Sequence, residues 1–347
     1  MTQPAIKRVS VIAPCRNEQR YIEAFCAGVL RQTLPAGWEL ELVIADGYSD
    51  DGTREILDRI AAIDPRIIRI DNPRRIVSSG LNQALDASHG EVIVRMDVHT
   101  EYAPDYIAQC LAALSETGAD NVGGPWHAQP DADAGPMQRA VAAAFQSRWV
   151  AGGARSRQLD YNGWVDTVYL GCWPRATFER FGGFDEALVR NQDDEHNLRI
   201  VSRGGRVWQS SRIRSIYRPR AMLRQVFRQY LQYGYWKPFV MKKHGQPASP
   251  RHAVPVMFVV LLACSAVAAL LGGPAWPFLF LAAAYAAGVA AMTTAVARDG
   301  KLDAATLWRV PAVIAAYHFG YGIGSLFGGW DVLRHGRGRE RFSSLTR

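Results

Sequence analysis

Between His196 and Arg298 the chain contains no aspartate or glutamate. Thirteen of its 40 lysines and arginines lie in residues 196–251, which leaves 27 for the remainder against all 32 acidic residues. The net charge of +8 is therefore regional. The basic stretch runs straight into an apolar one, the pattern of a segment that meets anionic lipid headgroups. Zinc-finger spacing, an RNA-recognition motif and an arginine-rich arm are all missing, so no nucleic acid is expected as a partner.

Cysteine is scarce as well. Cys15, Cys26, Cys110, Cys172 and Cys264 are odd in number and widely spaced, which argues against a disulfide framework or a zinc site. There is no GxGxxG to support a dinucleotide fold directly and no GxxxxGK[ST] to make a P-loop. The opening MTQPAIKRVSVIAP has no signal-peptide apolar core, so the soluble part is expected to stay in the cytoplasm. With 347 residues, the chain has room for one large domain or two ordinary ones.

Acidic residues gather where the chain does have them. Three clusters follow in order: Asp46 in VIADGYSDDGT, Asp97 with His99 in EVIVRMDVHT, and Asp193-Asp194-Glu195 in RNQDDEHNLRI. VSVIAP, ELELVIAD, IIRID and EVIVRMD read as short buried strands, separated by segments with helical spacing. Such alternation predicts a mostly parallel α/β sheet covered on both faces, with ligands bound beyond the carboxyl ends of its strands. Arg16, Asp46 and Asp97 fall at or just past those ends. Asp46 is a candidate acceptor for a base or ribose, since Ser49, Asp50 and Asp51 suffice to cap the following helix. Asp97 and His99, two apart in extended chain, point to one side. A carboxylate and an imidazole suit Mn²⁺ or Mg²⁺ bridging a diphosphate, with the imidazole favouring Mn²⁺. In the third cluster one carboxylate is a candidate general base, its pKa raised by its neighbour.

The second half predicts a membrane region. Residues 221–245 place Leu223, Val226, Phe227, Tyr230 and Leu231 on one helical face flanked by Arg224, Arg228, Lys242 and Lys243, as in a helix lying among headgroups. Residues 253–272 and 275–297 are long and apolar enough for a spanning hairpin. A third segment, 310–330, is expected to be re-entrant or interfacial, because spanning would put the basic tail of 332–347 outside. The expected division is a catalytic domain over 1–220, an interfacial segment over 221–250, a membrane region over 251–331 and that tail.

The series PCRNE, VIADGYSDDGT, GLNQALDASHGEVIVRMDVHT, GGARSR, VDTVYLGCWPR, GGFDEALVRNQDDEHNLRI and QYGYWK resembles bacterial family 2 glycosyltransferases, above all the succinoglycan-type exopolysaccharide glucosyltransferases. The resemblance covers residues 8–245. It implies the GT-A fold, a nucleotide-diphospho-sugar donor such as UDP-glucose, and inversion at the anomeric carbon. By position it assigns Pro14, Arg16 and Glu18 to the nucleotide and Asp46 to the base. Asp97 takes the first place of an Asp-x-Asp metal motif in which His99 replaces the second Asp. Asp193 is implied as the base, with Asp194 the alternative and Gln192 standing where the family has Glu. Arg155, Asp166, Gln232 and Trp236 are assigned to the acceptor or membrane side, and Tyr235 stands where processive synthases carry Arg. The implied acceptor is a polyprenyl diphosphate-linked glycan, at the bacterial inner membrane with the catalytic domain facing the cytoplasm. Rival readings are a processive polysaccharide synthase, a sugar-1-phosphate nucleotidyltransferase and a non-catalytic nucleotide-sugar-binding scaffold.

Overall fold

The computed structural model describes residues 7–150, 152–245, 252–300, 302–336, 338 and 342. They form two compact units: Met1–His127 with Gln158–Tyr217, and Ala128–Arg157 with Arg218–Arg347.

The first unit begins with β1 (Lys7–Cys15), α1 (Ile22–Leu30), β2 (Trp38–Asp46), α2 (Thr53–Ile63), β3 (Ile67–Asp71), α3 (Val77–Asp86) and β4 (Val92–Arg95). Then come β5 (Thr100–Tyr102), α4 (Tyr106–Thr117), β6 (Asn121–Gly124) and β7 (His127–Ala128). After α5 (Pro136–Gln146), which belongs to the second unit, the chain returns as β8 (Gly163–Val165), β9 (Tyr169–Pro174), α6 (Arg175–Phe181), α7 (Gln192–Ser202), β10 (Val207–Gln209) and β11 (Ser215–Tyr217).

Eight strands share one sheet in the order β3-β2-β1-β4-β9-β6-β10-β8. β3, β2, β1 and β4 are mutually parallel, as their apolar runs predicted. β9 runs antiparallel to both β4 and β6, and β8 antiparallel to β10, so the sheet is mixed rather than uniformly parallel. Side chains alternate between its faces. Val9, Val11, Leu42, Ile44 and Val94 pack with Phe25, Leu57 and Ile107. Ile12, Val43, Ala45 and Ile93 pack instead with Leu81, Phe178 and Ile200. With both faces buried, polar work is confined to the strand ends.

The end opposite the acidic clusters has its own lock. Glu41 is buried, and its Oε1 accepts from Ser10 Oγ (2.5 Å), His89 N (2.5 Å) and Gly90 N (3.1 Å). Burial opposes ionisation here, but the hydrogen bonds from Ser10 and His89 outweigh it and hold the carboxyl below its usual range.

The second unit is helical: α5, a 3₁₀ turn at Arg155–Arg157, then α8 (Leu223–His244), α9 (Ala253–Leu270), α10 (Trp276–Asp299), α11 (Ala304–Leu307) and α12 (Val310–Arg334). The boundary expected at 220 moves. Residues 128–157 join the helices because α5 buries Ala140, Val141 and Ala144, accepts at Val141 O from Tyr317 Oη, and pairs Arg139 with Asp303 at 2.8 Å. α8 is also corrected in part. Its apolar side packs on α12 rather than standing free for headgroups, and Arg224, Arg228, Lys242 and Lys243 stay exposed. The glycines of α12 make this packing close: a Cβ at Gly320 would meet Phe227 O at 2.8 Å, and ones at Gly324 and Gly328 would strike Leu231 O and Tyr235 O. The hairpin segments appear as α9 and α10. Among the described residues, three helices, ending with α12, are long and apolar enough to cross a membrane. α12, the segment expected to be re-entrant or interfacial, is one unbroken helix. Residues 246–251 and most of the basic tail lie outside the described residues.

Because folding lowers the pKa of Glu41, its contribution to stability is present above the unfolded value and lost as pH falls through the folded one. Glu41→Gln should lower the stability of the full chain by about 1–3 kcal/mol at neutral pH. The gap should close below about pH 4. Melting midpoints of the detergent-purified pair across that range check this, and a gap that does not change with pH would refute it.

Candidate active site

β1, β2, β3 and β4 run parallel and therefore deliver their carboxyl ends to one edge. Non-glycine residues adopt left-handed backbone in the loops there: Asn17 (φ 56°) after β1, Tyr48 (54°) after β2 and Arg75 (57°) after β3. Asn191 (62°), just before α7, is a fourth. Each costs of order 1–3 kcal/mol and persists only where surrounding contacts impose it.

Those contacts are visible between the first two loops. Asn17 N donates to Ser49 Oγ at 2.8 Å, and Asn17 and Asp50 exchange bonds at 2.8 and 3.1 Å. Glu18 N donates to Thr53 Oγ1, and Gln19 N to Asp51 Oδ2. Asp46 anchors the seam from beneath. It is 0% exposed and accepts from Ser49 Oγ (2.5 Å), Ser49 N and Arg54 Nη1 (2.9 Å). The expectation that Asp46 reaches a base directly is thus corrected: its carboxylate is enclosed and spent on the loop. Asp50 is also no helix cap; it ties to Asn17, and Asp51 alone accepts from Thr53 N at the start of α2. Pro14 is half-buried within β1, and Arg16 is exposed just beyond it.

At the end of β4 sits a charge cluster. Arg95 is buried, donating from Nε to Asp97 Oδ1 (2.9 Å) and from Nη2 to Asp97 Oδ2 (3.1 Å). Its Nη1 lies 4.0 Å from Asp193 Oδ2, on the first turn of α7. Tyr102 Oη clamps the backbone of Asp97, accepting from its N at 2.6 Å and donating to its O at 3.1 Å. His99 keeps 46% of its side chain exposed and places Nδ1 3.4 Å from Glu18 Oε1.

These surroundings drive the two carboxyls apart. For Asp97, burial opposes ionisation, but the charge and hydrogen bonds of Arg95, helped by His99 and Arg190, hold its pKa below the usual range. For Asp193, burial and then the charge of Asp194 raise the pKa, against a weaker pull from Arg95. Asp193 nevertheless leaves 35% of its side chain open. Asp194 is engaged elsewhere: its Oδ1 accepts from Thr167, which accepts from Asn197, which accepts in turn from Asn121. The structure thus distinguishes an open carboxyl facing Arg95 from a neighbour tied into a polar chain.

Among the described residues, no three acidic, histidine or cysteine side chains gather as a complete metal cage. Asp97, with both carboxylate oxygens on Arg95, and the half-exposed His99 beside Glu18 are the residues that would hold a divalent ion, with carboxylate and imidazole donors of the kind such ions take. Of the residues assigned to the acceptor side, Asp166 is exposed between β8 and β9, and Arg155 is exposed on its 3₁₀ turn. Gln232 and Trp236 are buried in α8, the Trp236 indole donating to Phe342 O at 3.3 Å. Sequence reasoning missed Arg95, Tyr102 and Thr167. An arginine inside the apolar run EVIVRMD, two residues before Asp97 and hence on its side of the strand, was the available signal.

The pattern described as "Glycosyl transferase family 2" matches residues 10–173. Over 260 residues the chain is 32% identical to the succinoglycan biosynthesis protein ExoA of Rhizobium meliloti, covering 73% of this chain and 77% of that protein. The chain belongs to glycosyl transferase family 2. A more distant relative of this glycosyltransferase is a dolichyl N-acetyl-glucosaminyl phosphate glucuronosyltransferase of Methanococcus voltae, 21% identical over 68% of this chain and 74% of its own. Among solved structures, the Pyrobaculum calidifontis mannosyltransferase in complex with GDP-Man and Mn²⁺ superposes with a TM-score of 0.57. That match covers 95% of this chain and 91% of the other at 20% identity, and it establishes the GT-A-like fold.

Tyr102→Phe should leave the Asp97 backbone N–H without its acceptor and lower stability by about 1–3 kcal/mol. Thermal unfolding of the full chain measures this; an unshifted midpoint would show that the hydroxyl does not hold Asp97.

Proposed function

We propose that this family 2 enzyme transfers a sugar, with glucose the first candidate, from a UDP-sugar to a polyprenyl diphosphate-linked glycan, with inversion, during exopolysaccharide or surface-glycan assembly. The observation that carries the reading is the pair Asp97 and Asp193, facing one buried guanidinium yet pushed to opposite protonation tendencies. Paired acids with divergent pKa values mark acid–base assignments. The 32% identity to a succinoglycan biosynthesis protein supports the pathway class.

In the proposed reaction the nucleotide lies across the loops after β1 and β2, lined by Pro14, Arg16 and Glu18. Asp46 contributes by fixing Ser49 and Arg54. Asp193 takes the proton from an acceptor hydroxyl as that oxygen forms a bond to the sugar C1. The bond from C1 to the diphosphate oxygen breaks, and the electron pair leaves with the nucleoside diphosphate. Attack from the opposite face inverts the centre. A bound Mn²⁺ or Mg²⁺, held by Asp97 and His99, would neutralise charge on the diphosphate. Arg155 and Asp166 are the polar candidates for the acceptor side.

The apolar helices carried on the same chain support a lipid-borne acceptor. The exposed Arg224, Arg228, Lys242 and Lys243 suit the cytoplasmic surface of the inner membrane. A processive synthase is less well supported: Tyr235, where such enzymes carry Arg, is buried and donates to Asp331 Oδ2 at 2.8 Å, a structural use.

UDP release from UDP-glucose, UDP-galactose and UDP-N-acetylglucosamine should be measured in membranes holding the native acceptors, with Mn²⁺, Mg²⁺ or EDTA. One donor should turn over in a metal-dependent way, and Asp193→Asn should abolish that turnover while UDP still binds. Since the base works deprotonated and its pKa is raised, kcat should climb with pH through a limb above the ordinary aspartate value of about 4. Full turnover by Asp193→Asn would overturn the assignment of the base.

A further inference from the structure

Arg95 has three guanidinium nitrogens and uses only two. Nε and Nη2 form the fork on Asp97, whereas Nη1 is buried and has no hydrogen-bond partner among the described residues. A buried, unpartnered donor on a charged group is costly and calls for an explanation. Asp193 Oδ2 lies 4.0 Å away, too far for a hydrogen bond but well within Coulombic reach. The two carboxylates come from separate elements, one just past β4 and the other on α7.

We propose that Arg95 is a positioning residue for glycosyl transfer. Two of its nitrogens fix Asp97, and the third aligns the Asp193 carboxylate toward the acceptor hydroxyl. In the loaded site, the 4.0 Å contact closes to a hydrogen bond. Catalytic hydrogen bonds are often long in empty sites and tighten when substrates bind. The strand makes Arg95 a good reference point: β4 is buried between β1 and β9, and Arg95 is its last residue. α7 is itself anchored, through the buried Glu195–Arg199 pair and the bonds from Arg199 to Phe181 O and Gly183 O. Arg95 thereby joins the donor side of the cleft to the base, with neither side chain free to drift.

The inference rests on Asp193 being the base, so Asp193→Asn is measured in parallel. The test uses full-length Arg95→Lys and Arg95→Met and reads kcat and donor KM by UDP release, with the UDP-sugar selected in the panel above. Lysine keeps the positive charge that a buried Asp97 needs but cannot make the fork and the third contact together. Arg95→Lys is expected to fold with a melting midpoint near wild type, to hold donor KM within about three-fold, and to lose kcat by roughly 10–100-fold, the scale of an ångström-level misplacement. Arg95→Met should lose more kcat if it folds; if it does not, the lysine variant still decides. Wild-type kcat in Arg95→Lys with Asp193→Asn inactive would overturn the role of Arg95 alone. So would a loss carried wholly by donor KM, or one matched by a loss of folded protein. Full activity of Asp193→Asn would instead overturn the underlying assignment of the base.

Discussion

A guanidinium buried at the end of β4 has lost its water, and the surrounding site follows from the need to compensate that charge. Asp97 meets it with a planar two-bond fork, the geometry in which arginine binds a carboxylate best. Once the fork is complete, only a weaker, longer-range attraction is left for Asp193. The two acids therefore differ: the fork holds Asp97 down, while burial and the charge of Asp194 outweigh the weaker pull of Arg95 on Asp193. Asp97 is held ionised, a state suited to a cation, while Asp193 is easier to protonate and more open to an incoming hydroxyl.

The loops that frame this cluster are held by mutual stitching rather than by burial of apolar groups. Asn17, Ser49, Asp50, Asp51 and Thr53 satisfy one another across two crossovers, and Asp46 closes the network from below. This explains how Asn17 and Tyr48 stay in left-handed backbone so close together. Strain of this kind at strand ends keeps backbone and side chains fixed before a ligand arrives, and it spares the ligand the entropy of ordering them.

Much of this was legible in the sequence, in particular places and for physical reasons. Strand runs such as VSVIAP and ELELVIAD revealed the parallel core because both faces of the sheet are buried and the runs are therefore continuously apolar. Asp97 and His99 stood out as polar residues just past the end of such a run, and Asp193 as part of an acidic run at the start of a helix. The enclosure of Asp46 was not legible, since it depends on Arg54 folding back from α2, and spacing alone does not say where a long side chain points. Nor was the partition of residues 128–157, whose glycine-rich loops look like the loops of the sheet. Their partners, Asp303, Thr306 and Tyr317, lie more than 160 residues away in sequence. The apolar face of α8 was read correctly as a face, but periodicity does not identify the surface that covers it.

In the helical unit the cover is α12, and the sequence of α12 makes sense only when its two sides are considered separately. On one side Gly320, Gly324 and Gly328 recur every fourth residue, and Asp331 accepts from Tyr235 one turn on. Removing side chains there brings two backbones together, the device by which helices associate where burial of apolar surface offers no drive. On the other side Leu326, Phe327, Trp330 and Leu333 are exposed along one stripe. α9 buries none of its residues, and α10 adds Trp276, Leu279 and Phe280 to the exposed apolar surface. In water a continuous surface of this kind would drive aggregation. In a bilayer it has no such cost, and the glycine seam then does the work of holding α8 to α12 that hydrophobic burial does in the sheet.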